Sequence, residues 1–398
     1  MVAGDEKGAV PGFRAGGIAC GIKKGRRRDL ALIVSDTPAV VAGVFTRNRV
    51  KAAPLLVTME QIRRGRCSAV VINSGNANAC TGRRGLRDAR MMVGGTAKAL
   101  RLEREQVLVA STGVIGEPLP MERIVKGVPR LVKGVSPTGW QEAAEAIMTT
   151  DTFPKLLQEE GALDGTPVRL LGMAKGSGMI APDMATMLAF IVTDAAVGQR
   201  ELQGVLRRAV RNSFNRITVD GECSTNDMVL LLANGVAGNR QVRAGSSGYE
   251  RFSGMVERLC VRLANLVVKN GEGATKLLEI RVKGAATEGD AERAAKRIAN
   301  SLLVKTAFFG EDVNWGRIMA ALGSAGIEIE PERVNISLGS VPIVRGGKAT
   351  GREGEAVEVI REREVQITVD LRMGRGEATV RSTDLSYDYV RINASYRS

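Results

Sequence analysis

The sequence contains no histidine among its 398 residues. This absence excludes Ser-His-Asp triads, Cys-His pairs and every metal site with an imidazole ligand. A hydroxyl or thiol nucleophile in this protein must therefore be activated by another group.

Cysteine is also scarce, and its spacing is uninformative for metal binding. The five cysteines are odd in number and never form a Cys-x-x-Cys pair. We therefore expect neither a disulfide framework nor a metal site. Reduced thiols and a cytoplasmic location are the corresponding expectation.

Long hydrophobic runs are missing. No apolar stretch approaches the ~20 residues that span a bilayer, and the segment 1–7 lacks the apolar core of a secretory signal. The sequence predicts no membrane partner.

Aromatic residues make up only 4% of the chain, although the net charge of +14 and the run Lys23-Lys24-Gly25-Arg26-Arg27-Arg28 are typical of nucleic-acid binding. Few side chains are available to stack on bases, and the 57 basic residues are mixed with 43 acidic ones along the chain. We therefore predict no nucleic-acid partner. A solvated basic surface that attracts anionic metabolites explains the charge better.

Hydrophobic patterning predicts a mixed α and β protein with no compositional boundary between domains. Helical spacing is found around 88–100, 137–148, 252–267 and 290–301. Strand-like runs are found at 30–35, 40–46, 69–73, 107–110, 187–192, 277–282, 334–338 and 365–371. Glycine-rich stretches at 346–348 and 351–354 are typical of surface hairpin loops.

The segment from Lys175 to Leu188 places a threonine between a glycine-rich turn and an apolar run. Gly176 and Gly178 allow backbone conformations closed to other residues, so this stretch should be a shaped loop. The continuous apolar run that follows predicts a buried strand. Thr186 directly precedes this run. Considered alone, Thr186 is also compatible with an ordinary β-branched strand residue.

Five further stretches are polar and rich in glycine, at 73–80, 111–116, 220–227, 270–276 and 310–317. Each is compatible with plain turn chemistry, because Gly, Asn, Asp and Ser favour turns for conformational reasons. Each also follows a strand or helix signal, as the loops of a functional site do.

Together these segments resemble the ornithine acetyltransferase family, the glutamate N-acetyltransferases of the arginine pathway. The resemblance covers nearly the whole chain and rests on the order and spacing of its motifs. They are Phe45-Thr-Arg-Asn48, 73–80, Ser111-Thr-Gly113, Thr149-Thr-Asp-Thr152, 175–188, Ser224-Thr-Asn-Asp-Met228, 271–276, 309–317 and 393–398. The fold that it implies is an α+β, four-layer α-β-β-α sandwich of the type found in N-terminal-nucleophile enzymes.

The resemblance implies self-cleavage before a threonine, here at the Ala185-Thr186 bond. The products would be residues 1–185 and residues 186–398, which stay associated in a heterotetramer or larger assembly. Cleavage creates an α-amine on Thr186, and such an amine has an unperturbed pKa of ~7.7–8.0. It can serve as the base that the missing histidine cannot supply.

The reaction implied is transfer of the acetyl group from N2-acetyl-L-ornithine to L-glutamate through an acetyl-Thr186 ester. By resemblance, Thr112 and Gly113 form the oxyanion hole, which can contribute on the order of 3–4 kcal/mol. Lys175 is the candidate partner for a substrate carboxylate.

Further substrate contacts are carried over from the family motifs to Thr152, Thr186 itself, Glu272, Asn393 and Ser398. Glu272 is suited to a substrate amino group by its charge. Thr149 and Thr150 remain alternatives to Thr152 within the same motif.

No cofactor is expected, but some family members also accept acetyl-CoA as a donor, and no residue decides between one activity and two. An alternative function is that of an N-terminal-nucleophile amidohydrolase or aminopeptidase of the same fold group, with water as the acceptor. The substrate motifs at 271–276 and 393–398 favour transfer.

Overall fold

Two mixed β-sheets organise the protein. The computed structural model describes residues 9–181 and 187–395. In the described residues the larger sheet contains eight strands: β1 (Phe13–Ile18), β2 (Leu30–Phe45), β3 (Arg66–Asn76), β4 (Val107–Val114), β5 (Lys155–Leu163), β6 (Thr166–Lys175), β7 (Leu188–Thr193) and β8 (Met228–Ala233). Their order is β4-β3-β2-β8-β7-β6-β5, and β1 pairs with β2.

The smaller sheet lies entirely in the second half of the chain. Its strands are β9 (Leu277–Ala285), β10 (Asn335–Leu338), β11 (Val341–Arg345), β12 (Lys348–Ala349), β13 (Glu364–Asp370) and β14 (Gly376–Thr383). They follow the order β12-β11-β10-β13-β9-β14.

Helices cover both sheets. In the described residues they are α1 (Ala53–Gln61), α2 (Gly82–Leu100), α3 (Met121–Gly134), α4 (Trp140–Ile147), α5 (Gln199–Asn212), α6 (Ser247–Lys269), α7 (Glu288–Ala299), α8 (Leu302–Phe309), α9 (Trp315–Gly323), α10 (Glu353–Arg361) and α11 (Tyr387–Ser395). This architecture confirms the predicted α+β class.

Separate apolar clusters hold the layers together. Leu202, Phe252 and Leu263 of α5 and α6 are fully buried against one face of the larger sheet. Helices α2 and α3 form a second cluster with β2, β3 and β4, and alternate residues of β2, among them Ile33 and Val41, belong to a third cluster that includes α4. Helices α7, α9 and α10 pack on the smaller sheet. Burial of such side chains stabilises each by about 1.5–3 kcal/mol.

The two halves of the chain share the larger sheet. Strand β8 pairs antiparallel with β2, from Val40↔Ala233 to Phe45↔Met228, and β7 pairs antiparallel with β6. Strands that follow residue 186 therefore lie in the middle of a sheet whose outer strands all precede it. The segments 1–185 and 186–398 are not separate folding units.

Most predicted elements are confirmed, with two corrections. The runs at 30–35 and 40–46 belong to one strand, β2, which continues through a register irregularity between Val34 and Ala39. The glycines at 346–347 form the predicted hairpin turn between β11 and β12. The stretch 351–354, by contrast, leads into α10, because Glu353 and the following Glu355 favour the first turn of a helix.

Among the described residues, no helix is both long and apolar enough to cross a membrane.

Candidate active site

A polar cavity of about 270 Å³ lies where strands β4 and β6 end and strands β7 and β8 begin. Five residues that the sequence singled out line it together: Thr112, Gly113, Lys175, Glu272 and Asn393. They come from β4, β6, the loop after α6 and helix α11. The sheet topology therefore brings motifs from across the chain to one site.

Lys175 is the last residue of β6 and is 9% exposed. Its Nζ donates a hydrogen bond to Thr112 Oγ1 at 3.1 Å. A hydroxyl satisfies only part of the hydrogen-bonding capacity of an ammonium group. The ammonium group of this cavity-lining lysine therefore keeps hydrogen-bonding capacity for a substrate carboxylate.

Asp151 fixes the two backbone segments next to Lys175. Its carboxylate accepts hydrogen bonds from the N–H groups of Gly176 at 2.8 Å and Thr149 at 2.9 Å. Burial would raise the pKa of Asp151, but the charges of Lys155 and Lys175 and these hydrogen bonds hold it at about 2. The group is therefore a carboxylate throughout the neutral range.

Lys155, the partner of Asp151, is fully buried at the start of β5. Its Nζ lies 2.5 Å from Asp151 Oδ1 and 2.7 Å from Asn270 Oδ1. Asn270 directly follows the last residue of α6, and its Oδ1 also accepts a hydrogen bond from the N–H group of Thr152 at 3.2 Å. This buried cluster links the segments on either side of residue 186.

Thr152 does not line the cavity. It is exposed and is engaged with Asn270, whereas Thr149 and Thr150 belong to the cavity wall. Thr149 and Thr150, which the sequence left open as alternatives to Thr152, are therefore the threonines of this motif that lie at the cavity wall.

The wall of the cavity is acidic. It includes Asp220, Glu222, Asp227 and Glu272. Burial raises the pKa of Asp220 and, more strongly, that of Asp227, which is 2% exposed. No group of three or more acidic and cysteine side chains within 9–181 and 187–395 is arranged to hold a metal ion. A wall of carboxyl groups beside a buried lysine suits a small substrate that carries both an amine and a carboxylate.

Asp220 also shapes the loop that follows Lys175. It accepts hydrogen bonds from Met179 N at 2.6 Å and Ile180 N at 2.8 Å, and from the Tyr389 hydroxyl at 3.3 Å. Met179 has a φ of 55°, a conformation that needs such external support in a residue other than glycine. A shaped loop is predicted before Met184, and it is confirmed for the described residues 176–181.

Glu272 and Asn393 meet in the cavity wall. Asn393 Nδ2 donates to Glu272 Oε2 at 2.9 Å and to Tyr389 O at 3.0 Å. Glu272 lies against Gly178, where a Cβ atom would come within 2.4 Å of its Oε2. Helix α11 thus positions Asn393 over a glutamate that faces the glycine-rich loop.

Ala185, Thr186 and Ser398 lie outside the described residues. Among the described residues that line the cavity, Met179 and Met187 are the nearest in sequence to the Ala185-Thr186 bond on its two sides.

Sequence reasoning did not single out Asp220, Asp227 or Tyr389 as site residues. The two aspartates bound the polar stretch 220–227, so its composition was a usable signal. Nothing near Tyr389 in the sequence marks it, because its role depends on a hydrogen bond to Asp220, 169 residues away.

Gly113 is required by packing as well as by its location at the cavity. Its φ is +130°, and a Cβ atom there would lie 2.4 Å from the backbone carbon of Gly75 and 2.5 Å from the nitrogen of Asn76. Neither neighbour is a side chain that can rotate away. The ends of β3 and β4 can approach this closely only with glycine at this position.

Replacing Gly113 by alanine is expected to move the end of β4, and with it Thr112, out of alignment. If Thr112 and Gly113 form the oxyanion hole that the family resemblance implies, kcat should fall by about 10²–10³-fold, the effect of losing one such donor. Gly116→Ala is the matched control, because Gly116 also has a positive φ of +86° but open space around its Cβ position. Equal activity of the two variants in a transfer assay would contradict the close-packing argument.

The fold and the cavity define an α+β sandwich enzyme that handles a small amino-acid-like substrate. The chain belongs to the ArgJ family, whose sequence profile matches residues 14–398. This membership confirms the family resemblance found in the sequence and, with it, an acyltransferase of the sandwich type.

Similar proteins and a solved structure are consistent with this family membership. The chain is 54% identical over 391 residues to the arginine biosynthesis bifunctional protein ArgJ of Geobacter sulfurreducens, covering 98% of this chain and all of the relative. It is 51% identical to the protein of the same name from Symbiobacterium thermophilum, over 98% of both chains. The crystal structure of the Bacillus halodurans protein of that name is 43% identical, with a TM-score of 0.52, and matches 53% of this chain and 100% of its own.

Proposed function

We propose that the protein is a glutamate N-acetyltransferase that transfers the acetyl group of N2-acetyl-L-ornithine to L-glutamate in arginine biosynthesis. The observation that carries the proposal is the composition of the cavity wall. Met179 and Met187, which flank the Ala185-Thr186 bond in sequence, line the same cavity as Thr112, Gly113 and Lys175.

The chemistry begins with the Thr186 α-amine, which is released by self-cleavage and takes the proton of its own hydroxyl. Oγ attacks the acetyl carbonyl, Thr112 and Gly113 stabilise the oxyanion, and ornithine leaves with the proton held by the amine. The amine of glutamate then attacks the acetyl-Thr186 ester. N-acetylglutamate departs and the hydroxyl is restored.

Recognition of both substrates follows from the distribution of charge. Lys175 binds the carboxylate common to acetylornithine and glutamate. Glu272, held by Asn393, faces the free amine of ornithine, and Ser398 is the further contact at the C-terminus. Of the threonines in the 149–152 motif, the wall positions of Thr149 and Thr150 favour them over Thr152 as substrate contacts.

The two cleavage products are expected to remain together. Pairing of β2 with β8 and of β6 with β7 crosses the cut, as does the hydrogen bond between Lys155 and Asn270. The solved Bacillus halodurans chain is matched completely by 53% of this chain, which is close to the share that follows the Ala185-Thr186 bond. We propose that two such pairs form a heterotetramer, which sedimentation of the purified protein would test.

We further propose acetyl-CoA as a second acetyl donor. The relatives that cover nearly the whole chain are named bifunctional proteins.

The first experiment is the intact mass of the purified protein under denaturing conditions, with sequencing of each N-terminus. We expect two fragments, the second beginning at Thr186. Incubation with N2-acetylornithine and labelled glutamate should then yield labelled N-acetylglutamate and ornithine in equal amounts. A single chain in an active preparation would remove the amine base and contradict the mechanism.

The same assay decides against the hydrolase alternative. A hydrolase releases acetate from acetylornithine at a rate that does not depend on glutamate. The transferase releases ornithine only as glutamate is consumed. Acetate as the main product at saturating glutamate would favour the amidohydrolase.

A further inference from the structure

The basic run 23–28 lies in the loop between β1 and β2. The buried carboxylate of Asp29 accepts four backbone hydrogen bonds, from the N–H groups of residues 20–23, at 2.6–3.0 Å. Lys23 Nζ donates to Arg28 O at 2.8 Å and closes the loop. These hydrogen bonds hold the two ends of the loop together.

Three basic side chains of this loop, Lys24, Arg26 and Arg27, are exposed. None of them forms an ion pair with another residue of the described chain, unlike Arg28, which pairs with Glu145 at 2.8 Å. Asp29 does not neutralise them, because it is fully buried and engaged by the backbone. The loop therefore carries three uncompensated positive charges.

The loop is adjacent to the cavity wall. The Lys23 side chain packs on Gly75, where a Cβ atom would lie 2.9 Å from Lys23 Cγ. Gly75 in turn contacts the cavity residue Gly113. Burial and the neighbouring charge of Arg27 lower the pKa of Lys23 to about 8, and the charges of Asp151 and Lys175 also act on it. From Lys23 to Arg27 the chain spans at most about 14 Å.

The cavity itself is unsuited to a polyanion, because Asp220, Glu222, Asp227 and Glu272 line it. An acyl donor that carries phosphate groups must therefore keep these groups outside the acidic cavity while its acyl group enters the cavity. The basic loop beside Gly75 offers such a place, since Arg and Lys bind phosphate through charge-assisted hydrogen bonds.

We propose that Lys24, Arg26 and Arg27 form a phosphate-binding subsite for a nucleotide-linked acyl thioester, of which acetyl-CoA is the simplest. The inference rests on the proposed function and adds the location of the second donor. In the reaction, the acetyl group passes from the thioester sulfur to Thr186 Oγ, and the departing thiol takes the proton that the hydroxyl loses. Glutamate then removes the acetyl group as it does after transfer from acetylornithine.

The test is the variant K24A/R26A/R27A, with R207A/R211A/R251A as the matched control. The control removes three exposed arginines of α5 and α6 that do not line the cavity. For the loop variant, we expect the KM for acetyl-CoA to rise at least tenfold and the KM for acetylornithine to change less than twofold. Added KCl should raise the KM for acetyl-CoA in the control but much less in the loop variant, because screening acts on the removed charges. Unchanged melting temperatures would show that both variants fold.

Adenosine 3′,5′-bisphosphate provides a probe without an acyl group. It should inhibit acetyl-CoA-dependent acetylation of the control competitively and inhibit the loop variant at least tenfold more weakly. An unchanged KM for acetyl-CoA in the loop variant would overturn the subsite. Loss of binding to a labelled oligonucleotide with an unchanged KM would instead indicate a nucleic-acid surface.

Two outcomes separate this inference from the proposed function. If the wild-type protein transfers acetyl from acetylornithine but not from acetyl-CoA, the subsite is wrong and the transferase stands. If neither acetyl donor is used, the proposed function is wrong, and the subsite that rests on it is wrong as well.

Discussion

Thr186→Ala is expected to produce one uncleaved chain with no acetyl transfer. The substitution removes the hydroxyl that attacks the preceding peptide bond and, with it, the α-amine that would serve as base. Because removal of a covalent nucleophile disables a catalytic unit as a whole, the loss of kcat should reach at least about 10⁴-fold. Denaturing mass spectrometry and the glutamate-dependent assay measure the two effects on the same sample.

Thr186→Ser is the matched control for this variant. Serine keeps the hydroxyl and, after cleavage, the α-amine, so it should be cleaved and active, although more slowly. An alanine variant that is cleaved at the same bond, or a serine variant as inert as the alanine variant with an intact fold, would contradict the role given to Thr186.

Lys155→Met is expected to destabilise the protein by about 3–5 kcal/mol, the effect of leaving a buried charge without its partner. The substitution removes the ammonium that lies 2.5 Å from Asp151 and 2.7 Å from Asn270. Transfer should fall as well, because Asp151 holds the N–H groups of Thr149 and Gly176 next to Lys175. Denaturant unfolding and the KM for acetylornithine are the measurements.

Lys126→Met is the control, since Lys126 forms an ion pair with Glu122 on an exposed helix surface. Such pairs contribute little, so its unfolding curve should match that of the wild type. Comparable destabilisation by both substitutions, or none by either, would contradict the importance of the buried pair.

The pH dependence of the Lys155→Met effect follows from the pKa of Asp151, which is lowered to about 2 in the folded protein. A lowered carboxyl pKa contributes stability that is complete above the unfolded value near 4 and is lost as the pH falls towards 2. Without Lys155, burial favours the protonated acid. The stability difference between wild type and Lys155→Met should therefore narrow below about pH 4.

Prediction from the sequence succeeded where a local pattern was sufficient. The apolar run before Thr193 predicted a strand and is found in β7. The helical spacing of apolar residues from Phe252 to Val267 predicted a helix and is found in α6. Both patterns are typical of elements buried along one or two faces. The motifs also predicted that Thr112, Lys175 and Glu272 share a site, and the cavity contains all three.

Prediction from the sequence was incomplete where contacts between residues far apart in the chain determine the position or burial of a side chain. Thr149, Thr150 and Thr152 have the same chemistry, and their positions differ because Asn270, 118 residues away, engages Thr152. Lys155 carries a charge, which by itself predicts exposure to solvent, yet the residue is fully buried. Its burial depends on Asp151 and Asn270 meeting it in the fold.

The sequence by itself indicated the family and led to the chemistry that we propose. The spacing of the glycine-rich motifs indicated the family, and the family resemblance together with the absence of histidine led us to propose a threonine that uses its own amine as the base. Only the tertiary structure decided that β7 and β8 lie between β2 and β6, so that both halves of the chain build one sheet. It also decided that Asp220, Asp227 and Tyr389 complete the cavity wall. The physical reason is that strand pairing and burial join residues far apart in the chain, and local propensity does not encode which partners meet.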